Sequence, residues 1–236
     1  MFGAAVLHAQ KIGFWFDSGL QGGFGLTTLF NQNVWNDRQY DYLLSTGFSL
    51  GGKFGVYYGL YNGINLDVMW SRGVQNFEFP LLEQESSHKV QWTTFDVGLL
   101  YRFQSPSTYF ELGPMLSFVS SIRDVYVINE VESTHDASKY YLSQYPSVVA
   151  GVGGYLLSAG TFTLMFGMRA IYSLTDVLSE DGKQSQFPNP FSAGRPYETY
   201  TPTRPISLLF VLEANYAIGY FAKTACSDRM SFFRFD

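Results

Sequence analysis

The sequence predicts an all-β protein, specifically an eight-stranded antiparallel up-and-down transmembrane β-barrel. Three observations predict this fold. Long segments alternate apolar and polar residues with a period of two, most of the charged residues within those segments share one face, and the connections alternate between short and long. The chain has 236 residues, a length that a closed barrel commonly uses as one domain.

The composition narrows the class of protein. Apolar residues make up 46% of the chain, yet the mean hydropathy is -0.02 and no uninterrupted apolar run reaches the roughly 18 residues of a spanning helix. Aromatic residues at 18% and 23 glycines are typical of barrels with interfacial rings and curved strands. The net charge of -5 and the absence of a basic cluster argue against a nucleic-acid partner.

Eight strand-like segments follow one another along the chain. They run approximately over residues 11–30, 40–60, 64–80, 90–104, 109–127, 146–158, 161–178 and 204–222. Three connections are short and carry turn residues, at 61–63, 104–108 and 158–161. The other four are long and mostly polar, at 31–39, 81–89, 128–145 and 179–203. Outer-membrane barrels have short periplasmic turns and long extracellular loops, so we expect both termini on the periplasmic side.

Two segments depart from the alternating pattern. Pro114 removes a hydrogen-bond donor from the fifth segment, so we expect a bulge or a locally broken pair there. The sixth segment is apolar on both faces between residues 147 and 157, and periodicity does not set its register.

Each segment otherwise has one face that is apolar over most of its length, and on the fifth segment this face includes Phe118 and Ile122. The opposite face carries a predicted lumen charge network of Asp17, Lys53, Asp67, Asp96, Arg102, Glu111, Arg123, Arg169 and Glu213. A Lys or Arg facing lipid at mid-depth costs about 2–4 kcal/mol, whereas a lumen charge can pair. We therefore expect an apolar outside and an ionic inside, the reverse of the soluble lipocalin-like barrel that is the alternative fold.

The inward charges have a structural and a functional interpretation. An eight-stranded barrel is just wide enough for side chains to fill it, and balanced charges can satisfy one another. A proton or ion relay is the alternative. The turn at 104–108 places Arg102 directly opposite Glu111, and inward glycines such as Gly151 and Gly167 leave room for large neighbours. We expect a filled lumen without an open pore.

Catalytic and metal-binding motifs are weak. His135 and Asp136, with Ser133 and Ser138 nearby, have the residue types of an acyl-transfer triad, but sequence neighbours in one loop have poor geometry for it. His88 is expected to be a solvated loop histidine. No Cys/His spacing of a zinc site is present. We therefore predict no enzyme activity, no metal site and no cofactor.

Both ends of the chain lie outside the predicted barrel. Residues 1–9 resemble the second half of a signal peptide with cleavage after Ala9, although a first-strand edge is the alternative. The barrel then covers residues 10–222, and a periplasmic tail covers 223–236 and contains the single cysteine, Cys226. Basic and aromatic residues in the tail suggest a partner-docking peptide made of Arg229, Phe232, Phe233, Arg234 and Phe235. A frayed terminus or a displaced assembly signal at Phe235 is the alternative.

The alternation over residues 11–222, the asymmetry of the turns and the Ala9-Gln10 junction resemble small bacterial outer-membrane β-barrels of OmpA/OmpX-like architecture. These sequence features are also similar to those of the PorT-like and PorG-like barrels associated with type IX secretion in Bacteroidota. The resemblance implies a structural or accessory subunit of a cell-envelope complex, with outer-membrane lipids, lipopolysaccharide and other envelope proteins as partners. A rim-active lipid-modifying enzyme and a narrow channel are the alternatives.

Overall fold

The computed structural model of the chain describes residues 12–37, 41–81, 84–128, 131–184, 197–223 and 230–234. The strands are β1 Ile12–Phe30, β2 Asp41–Leu43, β3 Ser45–Tyr58, β4 Asn62–Leu81, β5 Gln84–Gln104, β6 Thr108–Ile128, β7 Val131–Asp136, β8 Gln144–Ala159, β9 Phe162–Ser173, β10 Arg204–Lys223 and β11 Met230–Arg234. The helices are α1 Gln32–Asn36, α2 Glu180–Gln184 and a 3-10 turn at Ser138–Tyr140. No helix in these ranges is long and apolar enough to cross a bilayer.

Eight strands close into an antiparallel ring. Their order is β1-β3-β4-β5-β6-β8-β9-β10, and β10 pairs back onto β1 from Ile12–Ala222 to Phe30–Arg204. Each strand of the ring lies beside the previous ring strand in the chain, which is the up-and-down arrangement. Closure pairs the first strand with the last, so the ring itself has no free edge. The predicted eight-stranded barrel is confirmed.

The short turns lie at one end of the barrel and the long connections at the other. Gly59 and Gly160 have φ of 62° and 60° in two of the short turns, a left-handed conformation that favours glycine. In the third, the Ser105 N–H donates to the Thr108 carbonyl at 2.7 Å. The predicted alternation of short and long connections is confirmed.

Two of the long connections contain more strand than the sequence suggested. β4 and β5 continue as a hairpin up to the Leu81–Gln84 pair, although a polar loop was predicted over residues 81–89. β7 pairs with β6 within the loop predicted over residues 128–145. Polar side chains on the outer face of a projecting hairpin do not interrupt its backbone pairing, and for that reason the loop prediction was wrong.

The outside of the barrel is apolar and the inside is polar. On three adjacent strands the outward apolar residues run from Ile64 to Trp70, from Phe95 to Phe103 and from Phe110 to Phe118. These bands are seven, nine and nine residues long, close to the roughly 9–11 tilted residues with which a strand crosses hydrocarbon. Within these bands the charged side chains of the same strands, Asp67, Asp96, Arg102 and Glu111, are buried inside. This is the polarity of a transmembrane barrel and excludes the lipocalin-like alternative. Arg72, which follows Trp70 on the outer face of β4, is exposed, so the prediction of an apolar outside was wrong just above the band.

A β-bulge at Ser120 changes which face of β6 points inward. Thr94 pairs with Val119, but the next residue, Thr93, pairs with Ser121, so Ser120 is an extra residue. Beyond the bulge, Ile122 is 2% exposed and faces inward, while Arg123 is exposed on the outside. The predictions that Arg123 lies in the lumen and that Ile122 faces lipid were therefore wrong, because a bulge shifts the alternation by one residue.

At Pro114 the structure shows a broken pair without a bulge. The β5–β6 pairing passes from Gly98–Met115 to Tyr101–Leu112 with the register unchanged. The sixth segment, whose register the sequence left open, is now assigned, since Ser147 and Val149 of β8 are buried inside the barrel.

The long-loop end of the barrel is filled by a cluster of apolar side chains, here called the apolar roof. It consists of Leu29, Val34, Phe77, Val90, Trp92, Ile122, Ala137, Tyr141, Tyr145, Val177 and Leu178. The first turn of α1 is capped by the Asn31 side chain, which accepts from the backbone N–H groups of Asn33 and Val34. The cap places the buried Val34 in the roof.

Candidate functional site

The barrel interior is organised around Arg102. Its Nη2 donates to Oε2 of Glu111 at 2.6 Å, so the predicted cross-strand pair is confirmed. The same guanidinium also binds Glu213 from β10, with Nη2 to Oε1 at 2.7 Å and Nη1 to Oε2 at 2.9 Å. Its plane lies over the Tyr109 ring, 4.2 Å from the centroid. Arg102 therefore joins three walls of the barrel: β5, β6 and β10.

Two further cations extend this arrangement. Arg169 of β9 donates from Nε and Nη2 to Oε1 of Glu111, both at 2.7 Å, and its Nη1 lies 3.0 Å from Oδ2 of Asp67. Lys53 of β3 lies 3.3 Å from Oε2 of Glu213 and 3.7 Å from Oδ2 of Asp17. We call this set the lumen ion network; its members are Asp17, Lys53, Asp67, Arg102, Glu111, Arg169 and Glu213.

The lumen ion network closes the barrel at its level. Arg102, Glu111 and Glu213 are each at most 1% exposed, although they project from different strands into the same space. Burying charged groups in a low-dielectric interior is costly unless they are paired, and each of the four carboxylates and three cations here lies within 4.0 Å of an oppositely charged partner. In the described part of the chain, these almost fully buried side chains therefore fill the lumen at this level.

Asp96 is buried apart from the network. It lines a cavity of about 40 Å³ with Thr27, Ser71, Thr94, Ser117 and Ser147, below Trp92 and Tyr145 of the roof. One water needs about 10–15 Å³ of such space, so the cavity has room for roughly three waters. It is too small for an organic substrate.

The structure thus places eight of the nine predicted lumen charges inside the barrel, with Arg123 outside. Sequence reasoning missed a buried pair in the roof region, formed by His88 and Asp124. His88 Nε2 lies 3.4 Å from Oδ1 of Asp124, and its ring stacks on Tyr126 with centroids 4.3 Å apart. The prediction of a solvated His88 was wrong. Its period-two spacing from the buried Val90 was the signal that could have placed it inside.

The residues weighed as an acyl-transfer triad lie on the exposed strand β7 and just after it. The Asp136 carboxylate accepts a hydrogen bond from the backbone N–H of Ser138 at 2.9 Å. Hydrogen bonds from Ser138 hold the pKa of Asp136 below its usual value. The His135 ring lies edge-on to Tyr126, with centroids 6.1 Å apart. The Asp136 carboxylate is thus hydrogen-bonded within the turn that follows β7. No group of three or more His, Cys, Asp or Glu residues within the described ranges is arranged to hold a metal.

Part of the predicted docking tail forms strand β11. It pairs antiparallel with the end of β10, from Gly219–Arg234 to Lys223–Met230. Phe232 packs against Phe221, with ring centroids 5.2 Å apart, and Phe233 stacks on Tyr220 at 5.4 Å. The frayed-terminus alternative was therefore wrong for residues 230–234.

Arg229, Phe235 and Cys226 lie outside the described residues, as does the signal-like segment 1–9.

Comparisons with known proteins identify similar shapes. No protein-family model and no curated protein sequence matches the chain. Neisserial surface protein A is 13% identical at a TM-score of 0.41, covering 85% of this chain and 97% of that chain. The attachment invasion locus protein Ail of Yersinia pestis, in complex with the heparin analogue sucrose octasulfate, is 11% identical at 0.40, covering 86% and 99%. Outer membrane protein OprG of Pseudomonas aeruginosa is 12% identical at 0.38, covering 88% and 97%. Because these TM-scores are all 0.41 or lower, the assignment of the fold rests on the strand pairing described above and not on these similarities.

Proposed function

We propose that the chain is a non-conducting barrel of the bacterial outer membrane and serves as a structural or accessory subunit of a cell-envelope complex, with protein secretion as the candidate process. Its long loops are extracellular and both termini periplasmic. Its partners are outer-membrane lipids, lipopolysaccharide and other envelope proteins. The observation that supports the proposal most strongly is that side chains fill the interior of the barrel.

The membrane location is supported by the polarity of the barrel. Only helices and closed barrels satisfy every backbone hydrogen bond within hydrocarbon, and this ring is closed between β1 and β10. An apolar band covers its outside. Barrels of this kind have short turns on the periplasmic side and long loops on the cell surface, which gives the proposed orientation.

The non-conducting character is supported by two barriers in series. The lumen ion network blocks the lumen at the level of Arg102 and Glu213. The apolar roof blocks it again at the long-loop end, where Trp92 and Tyr145 are at most 6% exposed. A barrel without a path through it must act through its outer surfaces and its ends.

A partner-binding role is supported by β11. This strand pairs with β10 along one edge, and within the described residues no strand pairs with its other edge. An open strand edge is a template for pairing with another chain. Phe232 is also 46% exposed beside this edge. In the proposed orientation the edge faces the periplasm.

Planar-bilayer recording tests the closed lumen. We expect the wild-type barrel to give no conductance steps. A variant that removes both barriers, Arg102→Ser with Glu213→Ser and Trp92→Ala, should give steps and so prove that the protein has inserted. Reproducible steps from wild type would overturn the non-conducting proposal.

Affinity purification from native membranes in mild detergent tests the accessory role. We expect the full chain to recover other envelope proteins, and a chain ending at Lys223 to recover fewer of them. Glu132→Gln, a change on the exposed strand β7 at the opposite end, is the matched control and should behave as wild type. Recovery of the barrel alone from both chains would count against a complex.

A further inference from the structure

A polar groove lies on the outer face of the barrel, where β4, β5 and β6 run side by side. Its volume is about 280 Å³, and it is lined by Trp70, Arg72, Gln91, Thr93, Ser121 and Arg123. These side chains come from three adjacent strands and all point away from the lumen. The groove is thus separate from the lumen ion network.

The groove begins where the apolar band ends. Trp70, Phe95 and Phe118 face one another across the three strands and form the top row of the band. One pleat higher, Arg72 aligns with Thr93, which aligns with Ser121. Trp is enriched at the boundary between hydrocarbon and headgroups. In the proposed orientation, the groove therefore lies at the headgroup level of the outer leaflet.

Both arginines of the groove are exposed, and in the described part of the chain neither forms an ion pair with a carboxylate. Arg72 Nη2 donates to Gln91 Oε1 at 2.6 Å. Arg123 aligns with Asp136 of β7, whose carboxylate accepts a hydrogen bond from Ser138. One strand separates the two arginine-bearing strands, which places their backbones roughly 10 Å apart. Two guanidiniums at this spacing can share one anionic group.

The bulge at Ser120 is what brings the second arginine to this surface. Without the extra residue, Arg123 would keep the inward direction of Glu111 and Ser117 on the same strand. Bulges of this kind re-aim a side chain. Inside the barrel, by contrast, Arg102 and Arg169 are each bound to carboxylates.

We propose that this groove binds the phosphate of an outer-leaflet lipid whose headgroup carries a phosphomonoester. The guanidiniums of Arg72 and Arg123 bind the phosphate oxygens, for which their planar donor geometry is suited. The hydroxyls of Thr93 and Ser121 donate to the same group, and the acyl chains lie on the apolar band below Trp70. This inference rests on the proposed membrane location.

Native mass spectrometry of the barrel released from lipid nanodiscs tests the inference. The discs contain phosphatidylcholine with a minor share of either phosphatidic acid, which is a phosphomonoester, or phosphatidylglycerol, which is a phosphodiester. We expect wild type to retain phosphatidic acid preferentially. The double variant Arg72→Gln with Arg123→Gln should lose about tenfold or more of that affinity. Lys89→Gln, an exposed cation higher on β5, is the matched control and should behave as wild type.

The outcomes separate this inference from the proposed location. If wild type fails to enter the discs, both are overturned. If it enters but retains the three lipids equally, or if the double variant retains phosphatidic acid as wild type does, only the lipid site is overturned. An arm with excess inorganic phosphate distinguishes the source of the phosphate. If phosphatidic acid stays bound in the presence of inorganic phosphate, the result supports a lipid ligand. If inorganic phosphate displaces it fully, the groove is a site for free anions and the lipid assignment is overturned.

Discussion

Arg102 and Glu111 are nine residues apart, face each other across the β5–β6 hairpin, and meet through a 2.6 Å hydrogen bond inside the barrel. The same guanidinium binds Glu213, 111 residues away on β10. A local hairpin contact and a contact across the closed ring therefore share one side chain. This arrangement makes Arg102 the residue whose loss the interior should tolerate least.

We expect Arg102→Met to lower the free energy of unfolding by about 3–5 kcal/mol, because it leaves two buried carboxylates without their shared cation. The measurement is urea unfolding of the barrel in lipid vesicles. Arg234→Met, on the exposed end of β11, is the control and should change stability by less than about 0.5 kcal/mol. Adding Glu213→Gln to Arg102→Met should recover part of the loss. A loss no greater than that of the control would show that the network adds no stability.

Gly167→Ala should destabilise the barrel by about 1–3 kcal/mol, because the new methyl group would lie 2.4 Å from Oη of Tyr109 and 2.7 Å from the Val152 carbonyl. Gly98→Ala is the matched control. It is also buried, but its new methyl group would lie no closer than 3.7 Å to any neighbour. Thermal unfolding in detergent compares the two. Equal melting temperatures would mean that Tyr109 has space to move.

His88→Ala should destabilise the long-loop end by about 2–3 kcal/mol, since it removes a fully buried ring that contacts Tyr126 and Asp124. His135→Ala, on the exposed strand β7, should have almost no effect. Hydrogen exchange at the ends of β5 and β6 measures both. In lipid-modification assays we expect no turnover from wild type or from either variant. Turnover by wild type that is lost in His135→Ala alone would revive the enzyme hypothesis.

Phe232→Ala should release β11 without unfolding the ring, because its contacts with Phe16 and Phe221 are the aromatic contacts that hold this strand to the outer face. We expect faster hydrogen exchange in residues 230–234 and unchanged exchange in β9. Arg234→Ala, with an exposed side chain on the same strand, is the control. Unchanged protection of β11 in Phe232→Ala would show that the backbone pairing with β10 is sufficient.

Period-two alternation reports the environment on each side of a strand, so the number of ring strands and their inverted polarity could be read from the sequence. The Arg102–Glu111 pair could be predicted for a similar reason. A short turn fixes the register of the two strands that it joins.

The tertiary structure decided what depends on distant strands. The single extra residue at Ser120 places Arg123 outside and Ile122 inside. The sequence of β6 alone does not indicate where this bulge occurs. His88 is buried because Tyr126 and Asp124 of the neighbouring strand cover it. β11 pairs with the end of β10, along the edge that β9 no longer covers. Alternation within a strand is a local property that sequence alone determines, whereas bulges, burial above the membrane and strand ends depend on partners that only the folded ring brings together.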